Sequence, residues 1–155
     1  MELIGTQRLM QPPAVVWKAL FDREVLASAI PGCKELEQTS ETTFSAVVQL
    51  KIGPVSAKFK GDVELSDIVE PFSCVLAGKG SGGIAGFAKG SAHVTLSEDN
   101  GGTLLNYSAD ASVGGKLAAL GGRLIQSTAQ KLAEEFFTNF TTILNEKYEL
   151  EETQQ

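Results

Sequence analysis

Between Leu117 and Glu149, apolar residues recur at Ile125, Ala129, Leu132, Phe136, Phe140 and Ile143. Steps of three and four hold them on one face of a helix whose period is about 3.6 residues. Arg123, Gln130, Glu134 and Thr141 mark the opposite, wet face. At about 1.5 Å of rise per residue, the helix reaches roughly 40 Å or a little more. A stripe of that length needs a large apolar surface to cover it.

The preceding sequence supplies a sheet. Phe44, Ala46, Val48, Leu50 and Ile52 alternate with more polar neighbours, and Gly53-Pro54 then turns the chain. Val55, Ala57, Phe59, Gly61, Val63 and Leu65 alternate with Ser56, Lys58, Lys60, Asp62, Glu64 and Ser66, which is the period of a half-buried strand. Further strands are expected over Phe72–Gly80, Ala88–Ser97 and Thr103–Val113. The last pair is joined by Glu98-Asp99-Asn100-Gly101-Gly102, whose Asn-Gly supplies the positive φ of a tight hairpin. Glu2–Met10 reads as a first strand and Cys33–Glu37 as an edge strand. Between them, Pro12-Pro13 opens a helix over Ala14–Phe21, and Asp22 caps another over Arg23–Ala29. The fold class is α+β: seven antiparallel strands, with all helices on one face of the sheet. The 155 residues suit one domain, residues 1–148, followed by a charged tail from 149 to 155.

Alternate turns of a meander lie at the same end of the sheet. Gly53-Pro54, Ser81–Gly86 and Gly114-Gly115-Lys116 therefore meet beside Gly121-Gly122, and this glycine-rich end is the expected mouth of any pocket. The inward register is also unusually small at mid-sheet, at Ala57, Gly61, Gly78, Gly80, Gly90, Ala92, Ala109 and Ala111. Such residues either let the helix approach closely or leave an internal cavity for an apolar ligand. Ile84, Ala85 and Phe87, at the loop tip, either fold over the core or dip into a partner or bilayer surface. Lys79, Lys89, Lys116 and Arg123 are expected near the same mouth.

Several function classes are excluded. A net charge of −6 does not suit phosphate neutralisation, so no nucleic acid is expected. No run of about 18 apolar residues exists to span a bilayer. Met1-Glu2-Leu3-Ile4-Gly5 has neither a basic nor an apolar leader region, so no signal peptide and a cytoplasmic location are expected. Cys33 and Cys74 read as two free thiols. Gly78-Lys79-Gly80-Ser81-Gly82-Gly83 matches the dinucleotide fingerprint in letters. It lacks the following helix whose N-terminus would hold a pyrophosphate. His93, the single histidine, falls on the solvent register without metal-ligand partners, so neither a metal nor a cofactor is expected. Tyr107 is the clearest inward polar group and reads as a core tyrosine with a satisfied hydroxyl.

Pro12-Pro13 with Val16-Trp17, then Leu26-Ala27 and Ile30-Pro31-Gly32-Cys33, resemble the opening of the CoxG family of carbon monoxide dehydrogenase subunits. Ala88-Lys89-Gly90-Ser91-Ala92, Val113-Gly114-Gly115-Lys116-Leu117 and Gly121-Gly122-Arg123-Leu124-Ile125 are similar to that family too. The resemblance runs from about Met1 to Tyr148. It implies a helix-grip (START-like) fold, a curved sheet wrapped around the C-terminal helix and enclosing an elongated apolar cavity. It further implies an accessory role beside a molybdenum carbon monoxide dehydrogenase or related hydroxylase, in membrane recruitment or handling of a lipophilic quinone. Some members carry a C-terminal membrane anchor. This sequence ends at Glu151-Glu152-Thr153-Gln154-Gln155, so transient peripheral contact is the expectation.

The expected reading is a non-catalytic carrier of a quinone or other lipid. Its cavity would be lined by Val48, Leu50, Ala57, Phe59, Gly61, Leu76, Phe87, Gly90, Ala92, Tyr107, Ala109 and Ala111 from the sheet. Leu117, Leu120, Leu124, Thr128, Leu132 and Phe136 would complete it from the helix. The alternatives are a cyclase- or hydratase-type enzyme of the same fold, or a protein-interaction module whose interior is filled.

Overall fold

A computed structural model describes residues 1–153, and their side chains through residue 148. The chain runs β1 (Glu2–Leu9), α1 (Pro13–Leu20), α2 (Arg23–Ala29), then β2 (Cys33–Gln38), β3 (Thr43–Ile52), β4 (Val55–Val69) and β5 (Ser73–Ser81). A 3₁₀ turn (Gly83–Ala85) leads into β6 (Phe87–Asp99), β7 (Gly102–Gly114), α3 (Lys116–Ala119) and α4 (Gly122–Thr153). The strands form one sheet in the order β1-β7-β6-β5-β4-β3-β2, every pair antiparallel. β1 and β2 are therefore the two edges, and α1–α2 carry the chain from one to the other. This crossing places the helical pair beside the C-terminal half of α4.

Local chemistry sets the boundaries. Pro13 opens α1, where its missing N–H costs nothing. The Asp22 carboxylate caps α2 by accepting from the backbone N–H of Glu24 at 2.9 Å and Val25 at 3.4 Å, a contribution of about 1 kcal/mol. Asn100 and Gly101, at φ of 49° and 83°, make the expected two-residue turn between the paired Asp99 and Gly102.

The expected single helix from Leu117 is instead two. Gly121 sits at φ +93°, outside the right-handed helical region, and separates the one-turn α3 from α4. At the other end α4 continues through Thr153. Most of the segment read as a charged tail is thus helical in its backbone, and Gln154 and Gln155 lie outside the described residues.

The core is split along α4. Phe140 and Leu144 are 0% and 1% exposed, packed with Leu9, Val16, Trp17, Leu65, Leu96 and Leu105. Polar ties fix the same half: the Asn139 amide donates to the Ala29 carbonyl at 3.1 Å, and the Gln11 amide donates to Asn145 Oδ1 at 3.0 Å. A smaller cluster of Ile52, Phe59, Ala85, Leu117 and Ile125 closes the glycine-rich end. Between the clusters Leu76, Ala92, Ala109 and Leu132 are only half-buried.

Truncations should report this asymmetry in urea unfolding. Phe140→Ala is expected to cost about 3–5 kcal/mol, and Leu132→Ala only about 1 kcal/mol because its neighbours already border empty space. Equal losses would contradict a split core.

Candidate functional site

The inner face of the sheet is floored by glycine and alanine where the strands pass under α4. Gly61 stands opposite Ala46 and Gly80, Gly90 opposite Gly78 and Ala111, and Ala92 opposite Leu76 and Ala109. At Gly61, Gly78, Gly80 and Gly90, the atoms nearest to an added Cβ belong to neighbouring strands, none to α4. The helix does not approach these residues closely, so the small side chains leave space.

That space forms two adjoining apolar pockets, both open to solvent. The larger, about 440 Å³, lies on the sheet floor and is bordered by Val48, Phe59, Gly61, Leu76, Gly90, Ala92, Ala109 and Ala111. The smaller, about 290 Å³, lies beneath α4 and is bordered by Leu50, Phe59, Ala111, Leu117, Thr128 and Leu132. Phe59, Gly80, Ala88 and Ala111 border both. Ala46, Val63 and Ala88 in the floor, and Ile125 and Ala129 on α4, also belong to the lining. The strand alternation and the helix stripe point to these five as directly as to the expected set. Asp62, Lys79, Lys89 and Asp110 also border the floor chamber, but strand alternation sends their exposed side chains to the outer face. Among the described residues, Thr128 is the inward side-chain hydroxyl at the cavity wall, and Ser91, which also borders the floor, is on the outward register.

Six expected residues lie elsewhere. Ala57 and Leu120 pack into the closing cluster. Leu124 leans over Gly53, its Cδ2 2.9 Å from where a Cβ would stand. Phe136 packs edge-on against Phe137, with centroids 5.0 Å apart. Phe87 is on the outward register, half-exposed, because the chain re-enters the sheet one residue earlier than expected and Ala88 takes the inward place. Tyr107 is inward, but it stacks on Phe137 at 5.3 Å, with its hydroxyl end over Gly5. That hydroxyl has no protein hydrogen-bond partner among the described residues, and it is not among the buried unpaired polar atoms, so water can satisfy it.

The glycine-rich loops do meet at one end. Gly86 and Gly115, both at positive φ, approach so closely that a Cβ on either would collide with the other loop's backbone. This end is not an open mouth, however, since Ala85 and Leu117 are buried across it. The thinner cover is at the side. Met1, Ala111, Val113 and Ile125 line both the helix-side chamber and a surface depression of about 410 Å³ beside the α3–α4 break. Lys79 and Lys89 do not ring an opening, for they face each other across β5–β6 on the outer surface. A broader depression of about 850 Å³ on that surface draws on outward positions such as Thr43, Glu64, Lys79, Lys89 and Ser91.

The other motifs settle simply. Gly78–Ser81 is the end of a strand that leads through a single 3₁₀ turn into another strand, so the fingerprint has no helix to act with. His93 is exposed on the outer face, and no cluster of potential metal ligands occurs among the described residues. Cys33 and Cys74 are free, and burial pushes both thiols up. No helix among the described residues is long and apolar enough to cross a membrane.

A curved seven-stranded antiparallel sheet gripping a long C-terminal helix, with two short helices after the first strand, defines a helix-grip (START-like) domain. Solved structures share this architecture. A conserved protein from Geobacillus kaustophilus is 31% identical, with 94% of this chain and 96% of its own covered at a TM-score of 0.88. An uncharacterized protein from Rhizobium leguminosarum is 16% identical, with 94% and 95% covered at 0.72. The ZhuI aromatase/cyclase from a Streptomyces species is 11% identical, with 96% and 95% covered at 0.70. The last two are likenesses of fold alone. The model of the CoxG family of carbon monoxide dehydrogenase subunits matches residues 5–145, and the chain belongs to that family. Among curated proteins none matches.

Burial first, and the Glu134 carboxylate second, push the Tyr107 phenol above its ordinary value. The neutral phenol is the form the fold favours. Its contribution to stability is complete below about pH 10 and declines as pH rises through the raised value. In a Tyr148→Phe background, tyrosinate absorbance should therefore appear at a pH above that of free tyrosine. Glu134→Gln should bring it only part of the way back. Titration at the ordinary value would contradict this placement of Tyr107.

Proposed function

We propose that this protein is a non-catalytic accessory protein that holds an apolar ligand, a quinone or another lipid, between its sheet and α4. It serves a molybdenum carbon monoxide dehydrogenase-type enzyme, as an aid to membrane recruitment or as a source of electron acceptor. The observation that carries the reading is the two-chamber cavity with a wall of glycine, alanine and aliphatic carbon. Its volume falls in the range of small-molecule sites, roughly 300–1,000 Å³. Acid–base chemistry would require titratable groups facing the ligand. The cavity instead offers the Thr128 hydroxyl, which can orient a carbonyl or hydroxyl but has no partner with which to move a proton. Membership in the CoxG family supports the accessory role and suggests the enzyme it serves.

Native mass spectrometry of the purified protein, followed by solvent extraction, tests this reading. One apolar molecule per chain is expected. A short-chain quinone at a hundredfold excess over its Kd should add about 2.7 kcal/mol of stability, seen as a rise in Tm. Ala92→Phe, which fills the floor chamber, should retain the fold and lose both effects. A chain that carries nothing and shows no quinone-dependent rise in Tm would overturn the proposal.

A further inference from the structure

The sheet ends on two strands that differ in how open they are. β2 has six residues, a register shift between Cys33 and Glu35, and Lys34, Glu35 and Glu37 along it. Short, irregular and charged strands are how a sheet keeps its edge from pairing. β1 is longer and regular. Its eight residues pair with β7 in unbroken register, without a proline, and its middle, Leu3–Gln7, carries no charge.

The backbone of β1 is open along its outer side. Met1 and Ala111 exchange backbone hydrogen bonds, of 2.9 and 3.1 Å. Bonding alternates along an antiparallel ladder, so Leu3, Gly5 and Gln7 bond to β7, while Glu2, Ile4, Thr6 and Arg8 turn their N–H and C=O groups away from it. The Gln126 amide agrees with this facing, since it donates to the Glu2 carbonyl at 2.8 Å. Among the described residues no other group bonds the open-side backbone of these four.

The strand also complements itself. Counted from Gly5, Glu2 mirrors Arg8, Leu3 mirrors Gln7 and Ile4 mirrors Thr6. Glu2, Ile4, Thr6 and Arg8 are all exposed, Ile4 by 75%. Glu2 makes no ion pair among the described residues. Arg8 holds Asp99 through Nε at 3.0 Å, but its Nη1 has only the Met10 sulfur, at 3.8 Å. Gly5 has no side chain, and the Tyr107 ring covers it from inside.

We propose that two copies of this chain pair antiparallel along β1, about a twofold axis at Gly5, into one continuous sheet. Ile4 of each copy lies opposite Thr6 of the other, and each such pair exchanges two backbone hydrogen bonds. Glu2 lies opposite Arg8 at both ends, as an isologous contact requires. Gly5 meets Gly5 in a non-hydrogen-bonded pair, where Cα atoms come within about 4.5 Å. A second copy is the occupant this pattern selects, because it answers Glu2 with a guanidinium and Arg8 with a carboxylate at once. A contact one strand wide lies at the low end of specific interfaces, so the dimer is weak and concentration-dependent. The pairing requires no ligand in the cavity, so it stands or falls separately from the carrier function.

Sedimentation equilibrium from micromolar to millimolar concentration, with amide exchange as a second readout, tests this. A monomer–dimer equilibrium is expected. The Ile4 and Thr6 amides should gain protection as concentration rises, while those of Leu3 and Gly5 stay as they are. Glu2→Arg, which sets arginine against Arg8 at both ends, should weaken the dimer about tenfold, and adding Arg8→Glu should recover most of the loss. Ile4→Pro removes an N–H that β7 does not use, so it should weaken the dimer at least about tenfold with the monomer still folded. A monomer at every concentration, a dimer that Glu2→Arg and Ile4→Pro leave as it was, or protection gained on β2 instead of β1 would each overturn the proposal.

Discussion

The seating of Phe140 and Leu144 among α1, α2 and the ends of β1, β4, β6 and β7 is the contact on which the rest of this fold depends. It fixes α4 over the sheet from one end. Hydrogen bonds from Asn139 to Ala29 and from Gln11 to Asn145 hold that half in register against sliding. Because the anchor is there, the other half of α4 need not press on the sheet. A helix held at one end by a dense core can span a floor of glycine and alanine without collapsing onto it. The second cluster then closes the far end with Ala85 and Leu117. An open apolar pocket is in this way kept between two small cores.

The same division orders the chemistry. Strand alternation sends the charged residues of β4–β7 outward, and among the described residues the inner face offers carbon and the Thr128 hydroxyl at the cavity wall. Tyr107 is inward, but it is held against Phe137 in the anchor instead of facing the cavity. The wall of that space is thus almost wholly apolar. Membership in the CoxG family accords with this, while the similarity to an aromatase/cyclase extends to the fold alone.

Much of this is legible in the sequence because two periods are written so plainly in it. The alternation through β3–β4 sets which face is inner, and the steps of α4 set which stripe meets it. Together they place Val48, Phe59, Ala92, Ala109 and Leu132 at the cavity. What is not legible depends on backbone detail. Gly121 could be a tolerated residue within one helix, and only its φ makes it a break. Phe87 reads as part of a loop tip, but β6 begins with it, and the alternation that turns Ala88, Gly90 and Ala92 inward sends it outward. Leu124 and Phe136 sit on or near the stripe, yet they point to the flanks of the cavity. A stripe more than about 100° wide covers more than any one pocket. The inward facing of Tyr107 follows from the alternation, but its stacking partner and the bare Gly5 beside it are tertiary facts.

Residue-resolved native-state hydrogen exchange tests the central claim most directly, that α4 is firm at one end and free-standing at the other. Amides around 137–147 should exchange only through global unfolding, and those around 124–132 through a smaller, local opening. A bound quinone should raise protection in the second set alone. Uniform protection along α4, unchanged by ligand, would mean that the helix is packed equally throughout and that no cavity of this kind exists beneath it.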